Sequence, residues 1–109
     1  MPFIQIDRGI VTQINVFTVS QGGQQALIDH LAAAATFAST TEGWLSASLH
    51  RSLDGSRVVN YAQTDSLEAA QAVIVRLAEA GYLERNKAFG EPHPGLYEVV
   101  KTFERATPK

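Results

Sequence analysis

The sequence predicts an α+β domain of ferredoxin-like order β-α-β-β-α-β, with a four-stranded antiparallel sheet and both helices on one face. Three observations predict it. Segments rich in β-branched residues lie near the start, in the middle and near the end of the chain. Two alanine-rich segments with helical spacing separate them. An Asp54-Gly55 pair joins the two middle segments as a hairpin, because glycine reaches φ > 0 at little cost. That order is the split-βαβ arrangement. The 109 residues are one ordinary domain, read as spanning residues 1–109.

The first strand is "GIVTQINVFTV", residues 9–19. Thr12, Ile14, Val16 and Thr18 alternate with Val11, Gln13, Asn15, Phe17 and Val19, and both sets contain apolar side chains. Such a strand is covered on both faces, hence central. "SQGG" ends it. Leu27, Ile28, Leu31, Ala35 and Ala38 then fall on one side of a helix over about residues 24–40. "WLSASLHRS", residues 44–52, and "RVVNYAQT", residues 57–64, are the second and third strands. "DSLE", residues 65–68, resembles a capping box with Asp65 as the N-cap. The second helix runs over about 66–80, with Leu67, Ala70, Ile74, Leu77, Ala78 and Gly81 on one face. Residues 81–95 read as a connection with room for one helical turn, "LYEVVKTFE" (96–104) as the fourth strand, and "RATPK" as a frayed tail.

Both helices of this topology cover the same face of the sheet. The other face carries an alternate set from every strand, and neither set of the first strand is polar enough to meet water. An apolar face without helices predicts a partner. A second copy docking sheet to sheet as a C2 homodimer is the economical one.

With Asp54 and Gly55 at the centre of the turn, Arg51 opposes Val58, Leu49 opposes Asn60, Ala47 opposes Ala62 and Leu45 opposes Thr64. Opposed residues share a face. One face therefore holds Leu45, Ala47, Leu49, Val58, Asn60, Ala62 and Thr64, small and apolar enough to pack under helices. The other holds Trp44, Ser46, Ser48, His50, Arg57, Val59, Tyr61 and Gln63, suited to a hydrated dimer interface. Asn60 is the odd member of the first set. It is either a structural amide satisfied by nearby backbone or a polar handle in an apolar pocket.

Composition excludes several function classes. There is no cysteine, so neither a disulfide framework nor a thiolate metal site is available. His30, His50 and His93 lie too far apart for a metal motif. A net charge of −2 with 18% charged residues leaves no basic stripe for nucleic acid. The opening residues "MPFIQIDRG" are neither a signal peptide nor an anchor, and no apolar run approaches the roughly 20 residues that span a bilayer. The expectation is a cytoplasmic protein without a membrane or nucleic-acid partner. No nucleophile elbow, phosphate loop or dinucleotide fingerprint occurs. Chemistry would rest on an apolar cavity with few polar groups, an arrangement suited to a flat hydrophobic ligand.

The stretch Glu42–Ala72 carries Gly43-Trp44, Ser46-Ala47 with His50, the Asp54-Gly55 turn, and Val58-Val59-Asn60-Tyr61-Ala62-Gln63 before the second helix. These residues resemble the signature region of the antibiotic biosynthesis monooxygenase family. The resemblance implies a dimeric ferredoxin-like α+β barrel. It implies a cofactor-independent monooxygenase, without metal, haem or flavin, that oxidises a polycyclic phenolic, anthrone-like aromatic substrate with O₂ to a quinone in polyketide biosynthesis. Asn60 matches the family's substrate-contacting asparagine. The family's tryptophan near the end of the third strand falls on Thr64, and its tyrosine early in the second helix falls on Ala70. Arg76 and Arg85 are the two candidates for a substrate-contacting arginine. The expected catalytic residue is thus Asn60, with Leu49, Ala62, Thr64, Ala70 and Ile74 as substrate-binding positions. His50, Tyr61 and Gln63 are proton-handling candidates if the hairpin register shifts. A non-oxidative cyclase, isomerase or small-ligand-binding protein on the same fold is the alternative.

Overall fold

The structure, a computed structural model, describes residues 4–6 and 9–108. The readings made on Met1–Phe3, Asp7, Arg8 and Lys109 lie outside the described residues. The elements are β1 (Val11–Thr18), α1 (Gln24–Ala38), β2 (Trp44–Arg51), β3 (Arg57–Thr64), α2 (Leu67–Glu79), the single turn α3 (Tyr82–Asn86) and β4 (Glu91–Tyr97). The four strands form one antiparallel sheet in the order β2-β3-β1-β4. β1 and β3 are central, as the two-sided apolar content of β1 predicts.

The hairpin register follows the Asp-Gly turn. Arg51 opposes Val58, Leu49 opposes Asn60 and Ala47 opposes Ala62. The turn is tied by Asp54, which accepts hydrogen bonds from the Ser52 hydroxyl (2.9 Å), the Ser56 backbone N–H (2.9 Å) and the Ser56 hydroxyl (2.6 Å). Gly55 takes φ of 84°, the left-handed value that the turn needs.

The expected register fails at the far end of β2. A bulge between Trp44 and Ser46 inserts Leu45 as an extra residue, so Trp44, not Leu45, opposes Thr64. Trp44 crosses to the face with Ala47 and Asn60, while Leu45 is left 47% exposed. The cause lies one residue earlier. Gly43 has φ of 89°, its carbonyl accepts from Asp65 N–H at 2.8 Å, and a Cβ there would stand 2.6 Å from both Ala69 Cβ and Asp65 Oδ1. The chain enters β2 pressed against the start of α2 and rejoins the regular ladder only after one added residue.

Three further expectations are corrected. The N-cap of α2 is Ser66, not Asp65: its side chain accepts from Ala69 N–H at 3.0 Å. The buried stripe of α2 is Ala69, Ala70 and Val73, whereas Leu67 and Ala78 are exposed, so the face is rotated from the one expected. The fourth strand is Glu91–Tyr97, five residues earlier than expected at its start. Pro92 and Pro94 argue against a strand because they offer no N–H. β4 pairs only with β1 and is an edge strand, where proline is tolerated. Residues 98–108 form neither helix nor strand.

Large side chains gather at the hairpin end of the space beneath the helices. Phe17, Leu27, Leu31 and Val58 form the core there, with Val19, Ile28 and Leu49 packed against it. Beneath the other half lie Ala34, Ala35, Ala38, Ala47, Ala62 and Val73. Those short side chains leave a small void, of about 30 Å³, between sheet and helices at that end.

Candidate functional site

Among the described residues, two voids border both the sheet and the helices. The smaller, of about 30 Å³, is bordered by Trp44, Ala47, Asn60 and Ala62 on the sheet side, with Val73 and Leu77 of α2 and the alanines of α1 above. The larger, of about 200 Å³, lies between Asn15, Pro92 and Pro94 of the sheet and Ile74, Leu83 and Asn86 of the helices, with Lys87 at its rim. Gln13 borders both and is the partition between them. Neither lining contains a carboxylate or a histidine. Its polar content is mainly carboxamide: Gln13, Asn15, Asn60 and Asn86.

The sheet register brings these amides together. Asn15 of β1 directly opposes Asn60 of β3, and Gln13 opposes Ala62. Residues at i and i+2 on β1 share a face, so Gln13 and Asn15 both point under the helices. The amides differ in their bonding. Asn15 Oδ1 accepts from His93 N–H at 3.0 Å, which fixes that amide and leaves its N–H₂ end free. Asn60 Oδ1 is buried with no partner. Asn86 Oδ1 is likewise buried and unpartnered. An unmet polar atom of this kind costs on the order of 1–3 kcal/mol. A structural amide satisfied by nearby backbone, one of the two readings open for Asn60, is therefore not what its Oδ1 shows.

Of the other residues expected at the site, Ala62 borders the smaller void and Ile74 the larger. Leu49 packs into the core instead. Thr64 is buried, and its hydroxyl donates to Ser66 C=O at 3.0 Å. Ala70 is buried but borders neither void. His50, Tyr61 and Gln63 lie on the opposite face of the sheet, because the register is unshifted there. His50 bonds Ser48 Oγ at 3.0 Å, and Ser46 Oγ donates to Gln63 Oε1 at 3.3 Å. Both arginine candidates are spent elsewhere. Arg76 bonds the Thr40 and Thr41 hydroxyls and lies over the Phe37 ring; Arg85 bonds Ala80 C=O and lies over Tyr82. His93, read as a loop residue, is in β4.

Sequence reasoning missed Trp44, Gln13, Asn15 and Asn86. The signal for Asn15 was present in the alternation of the first strand, where Gln13 and Asn15 fall in the set with Phe17. Trp44 was hidden by the bulge, and Asn86 by a connection without periodicity.

This architecture is a small ferredoxin-like α+β domain with an amide-lined cavity under its helices. The sequence model of the antibiotic biosynthesis monooxygenase family matches residues 10–74, and the chain belongs to that family. The chain is 31% identical over 101 residues to tetracenomycin-F1 monooxygenase of Streptomyces glaucescens, covering 92% of this chain and 90% of that protein. Among solved structures it is similar to SnoaB, a cofactor-independent oxygenase from Streptomyces nogalater (TM-score 0.77, 21% identity, 89% of this chain and 99% of that one). It is also similar to the ActVA-Orf6 monooxygenase of Streptomyces coelicolor in complex with nanaomycin D (TM-score 0.73, 25% identity, 90% and 93% covered). The chain is thus a monooxygenase of the antibiotic biosynthesis type. No helix among the described residues is long and apolar enough to cross a membrane.

Proposed function

We propose that the protein oxidises a hydroxylated tricyclic aromatic of the anthrone type with O₂, without metal, haem or flavin, turning a ring CH₂ into a carbonyl and releasing water. The observation that carries this reading is the buried, unpartnered Oδ1 of Asn60, a residue bordering a space beneath the helices whose other lining, apart from Gln13 and Trp44, is hydrocarbon. A primary amide has a donor end and an acceptor end. Asn60 can therefore accept from a phenolic hydroxyl before proton loss and, after rotation, donate to the enolate oxygen that follows. The electrons come from the carbanion-like enolate of the substrate. The apolar walls keep water from the reduced oxygen species. At about 200 Å³ the larger void is below the range of about 300–1,000 Å³ usual for drug-sized ligands. A tricyclic ligand therefore draws on both voids, and Gln13, which borders each, is the side chain that has to move.

The protein acts as a homodimer. Val100 and Phe103 are 77% and 84% exposed on a segment of strand-forming composition, residues 98–104, that pairs with no strand among the described residues. Such a segment supplies and demands backbone partners, which a second copy provides.

The direct test is oxygen uptake by purified, chelator-treated protein on 1,8-dihydroxyanthrone. Rates above the autoxidation background support the reading; rates equal to buffer across a panel of hydroxyanthrones and hydroquinones reject it. A non-oxidative cyclase, isomerase or ligand-binding role is the alternative, motivated by Thr64 and Ala70 standing where the family has tryptophan and tyrosine. Ligand-induced thermal stabilisation without oxygen uptake identifies it.

A further inference from the structure

Asn86 is the last residue of the one-turn helix α3, and it is 5% exposed. Its backbone carbonyl is fully used, accepting from Phe89 N–H at 3.0 Å and Gly90 N–H at 3.2 Å. Its side-chain Oδ1 has no partner, and the residue borders the larger void beside Leu83, one turn before it. The opposite wall is Asn15, whose amide is held by His93 N–H so that its donor end is free. The residues lining the cavity thus include an amide held with its donor end free and a second amide whose acceptor is unmet, beside the hydrocarbon of Ile74, Leu83, Pro92 and Pro94. A neutral flat ligand bearing both a carbonyl and a hydroxyl complements that pair. A ligand without the hydroxyl leaves Asn86 Oδ1 buried and unpaired.

We propose that Asn86 is a substrate-contacting specificity residue: its Oδ1 accepts a hydrogen bond from an aromatic hydroxyl while Asn15 Nδ2 donates to a carbonyl on the same ring system. This rests on the reading of the cavity as the substrate site, and it selects hydroxylated over bare polycyclic ketones. Asn86 takes no part in the electron transfer. Its side chain sets which ring system is held and in which direction its oxygens point.

Binding can be read apart from turnover, because Trp44 is the single tryptophan of the chain and borders the adjoining void. Its fluorescence, corrected for probe absorbance, is titrated with 1,8-dihydroxyanthraquinone and with unsubstituted anthraquinone. Wild-type protein is expected to prefer the hydroxylated probe by about tenfold, the scale of one buried hydrogen bond. Asn86→Ala and the near-isosteric Asn86→Leu are expected to abolish that preference while leaving affinity for bare anthraquinone within about twofold. Thermal melting establishes that at least one of the two variants is folded. Wild-type protein that does not discriminate the probes, including protein that binds neither, overturns the proposal; so does a preference that survives in both variants. Oxygen uptake on 1,8-dihydroxyanthrone is measured on the same samples. Discrimination lost in the variants without any wild-type uptake supports the contact and rejects the oxygenase reading, so the two failures are distinct.

Discussion

Trp44 stands directly opposite Thr64 across the β2–β3 ladder, displaced into that position by the extra residue Leu45. The relationship places the chain's one indole on the wall of the same void that Asn60 borders. The family resemblance leads one to look for a tryptophan at position 64. The structure supplies an aromatic side chain there from the neighbouring strand. Thr64 is buried and hydrogen-bonded, so a larger side chain there must displace its neighbours, of which Trp44 is the residue directly opposite. Thr64→Trp alone is therefore expected to destabilise the protein by about 1–3 kcal/mol through overpacking. Combined with Trp44→Ala, the same substitution should cost less than the sum of the two singles, with a coupling of about 0.5–3 kcal/mol. Urea denaturation of the four proteins of the cycle measures this. Additive effects would show that the two positions do not share one space.

Acid sensitivity of the hairpin follows from Asp54. The Ser56 hydroxyl, the Ser56 backbone N–H and the Ser52 hydroxyl all donate to its carboxylate and lower its pKa from 3.8 to about 2. A carboxylate whose folded pKa is depressed stabilises the fold above its unfolded pKa and loses that contribution as pH falls through the folded value. The window is thus between about pH 4 and pH 2. Asp54→Asn should lower the melting temperature at neutral pH, converge with the wild type as pH falls through that window, and so flatten the pH dependence there. An unaltered acid limb in the variant would show that the turn bonds play no part in it. The group is fully exposed, so the effect is read as a direction and a change of slope.

The segment from Glu98 onward is expected to be an intermolecular element. Truncation after Tyr97 removes the exposed Val100 and Phe103 without touching the intramolecular sheet, since β4 ends at Tyr97. Light scattering of the full chain at micromolar concentration should give twice the chain mass, and the truncated chain should shift toward the monomer. A full-length monomer would contradict the proposed sheet-to-sheet dimer. A dimer unaffected by truncation would place its stability in the sheet face alone.

Element order and the hairpin register were legible because each rested on a local physical rule: period-2 alternation, helical spacing and a turn that only glycine makes cheaply. What was not legible depended on contacts between distant residues. The bulge at Leu45 arises where Gly43 meets Ala69 and Asp65, and no local pattern announces it. β4 was placed late because Pro92 and Pro94 disfavour a strand in isolation; only its position at the sheet edge makes them harmless. The apolar composition of residues 96–104 pointed to a strand there, and Leu96 and Tyr97 alone pair with β1. At the site, Asn60 was legible as an odd polar residue in an apolar set. Asn15 was signalled by the alternation of β1, where it falls in the set with Phe17, but Asn86 was not, because its place depends on how α3 frames the cavity.

Asn60 separates stability from activity. Its Oδ1 is buried and bonded to nothing in the protein, so replacing it removes an unmet polar atom as well as some packing. The two effects oppose each other, each on the order of 1–3 kcal/mol. Asn60→Ala should therefore melt within a few degrees of the wild type, or above it. An amide placed to hold the fold together would behave otherwise: truncating it would strand its partner and lower the melting temperature clearly. Oxygen uptake on a hydroxyanthrone should fall at least tenfold in the same variant, the scale of one lost hydrogen bond to the reacting ring. Asn60→Asp is the complementary change. It keeps the shape but brings a negative charge beside the developing enolate, so it should depress the rate further at neutral pH and recover part of it at lower pH. Differential scanning fluorimetry and oxygen-electrode rates on the three proteins test both halves. A large loss of stability with the rate per folded molecule unchanged would return Asn60 to a structural role.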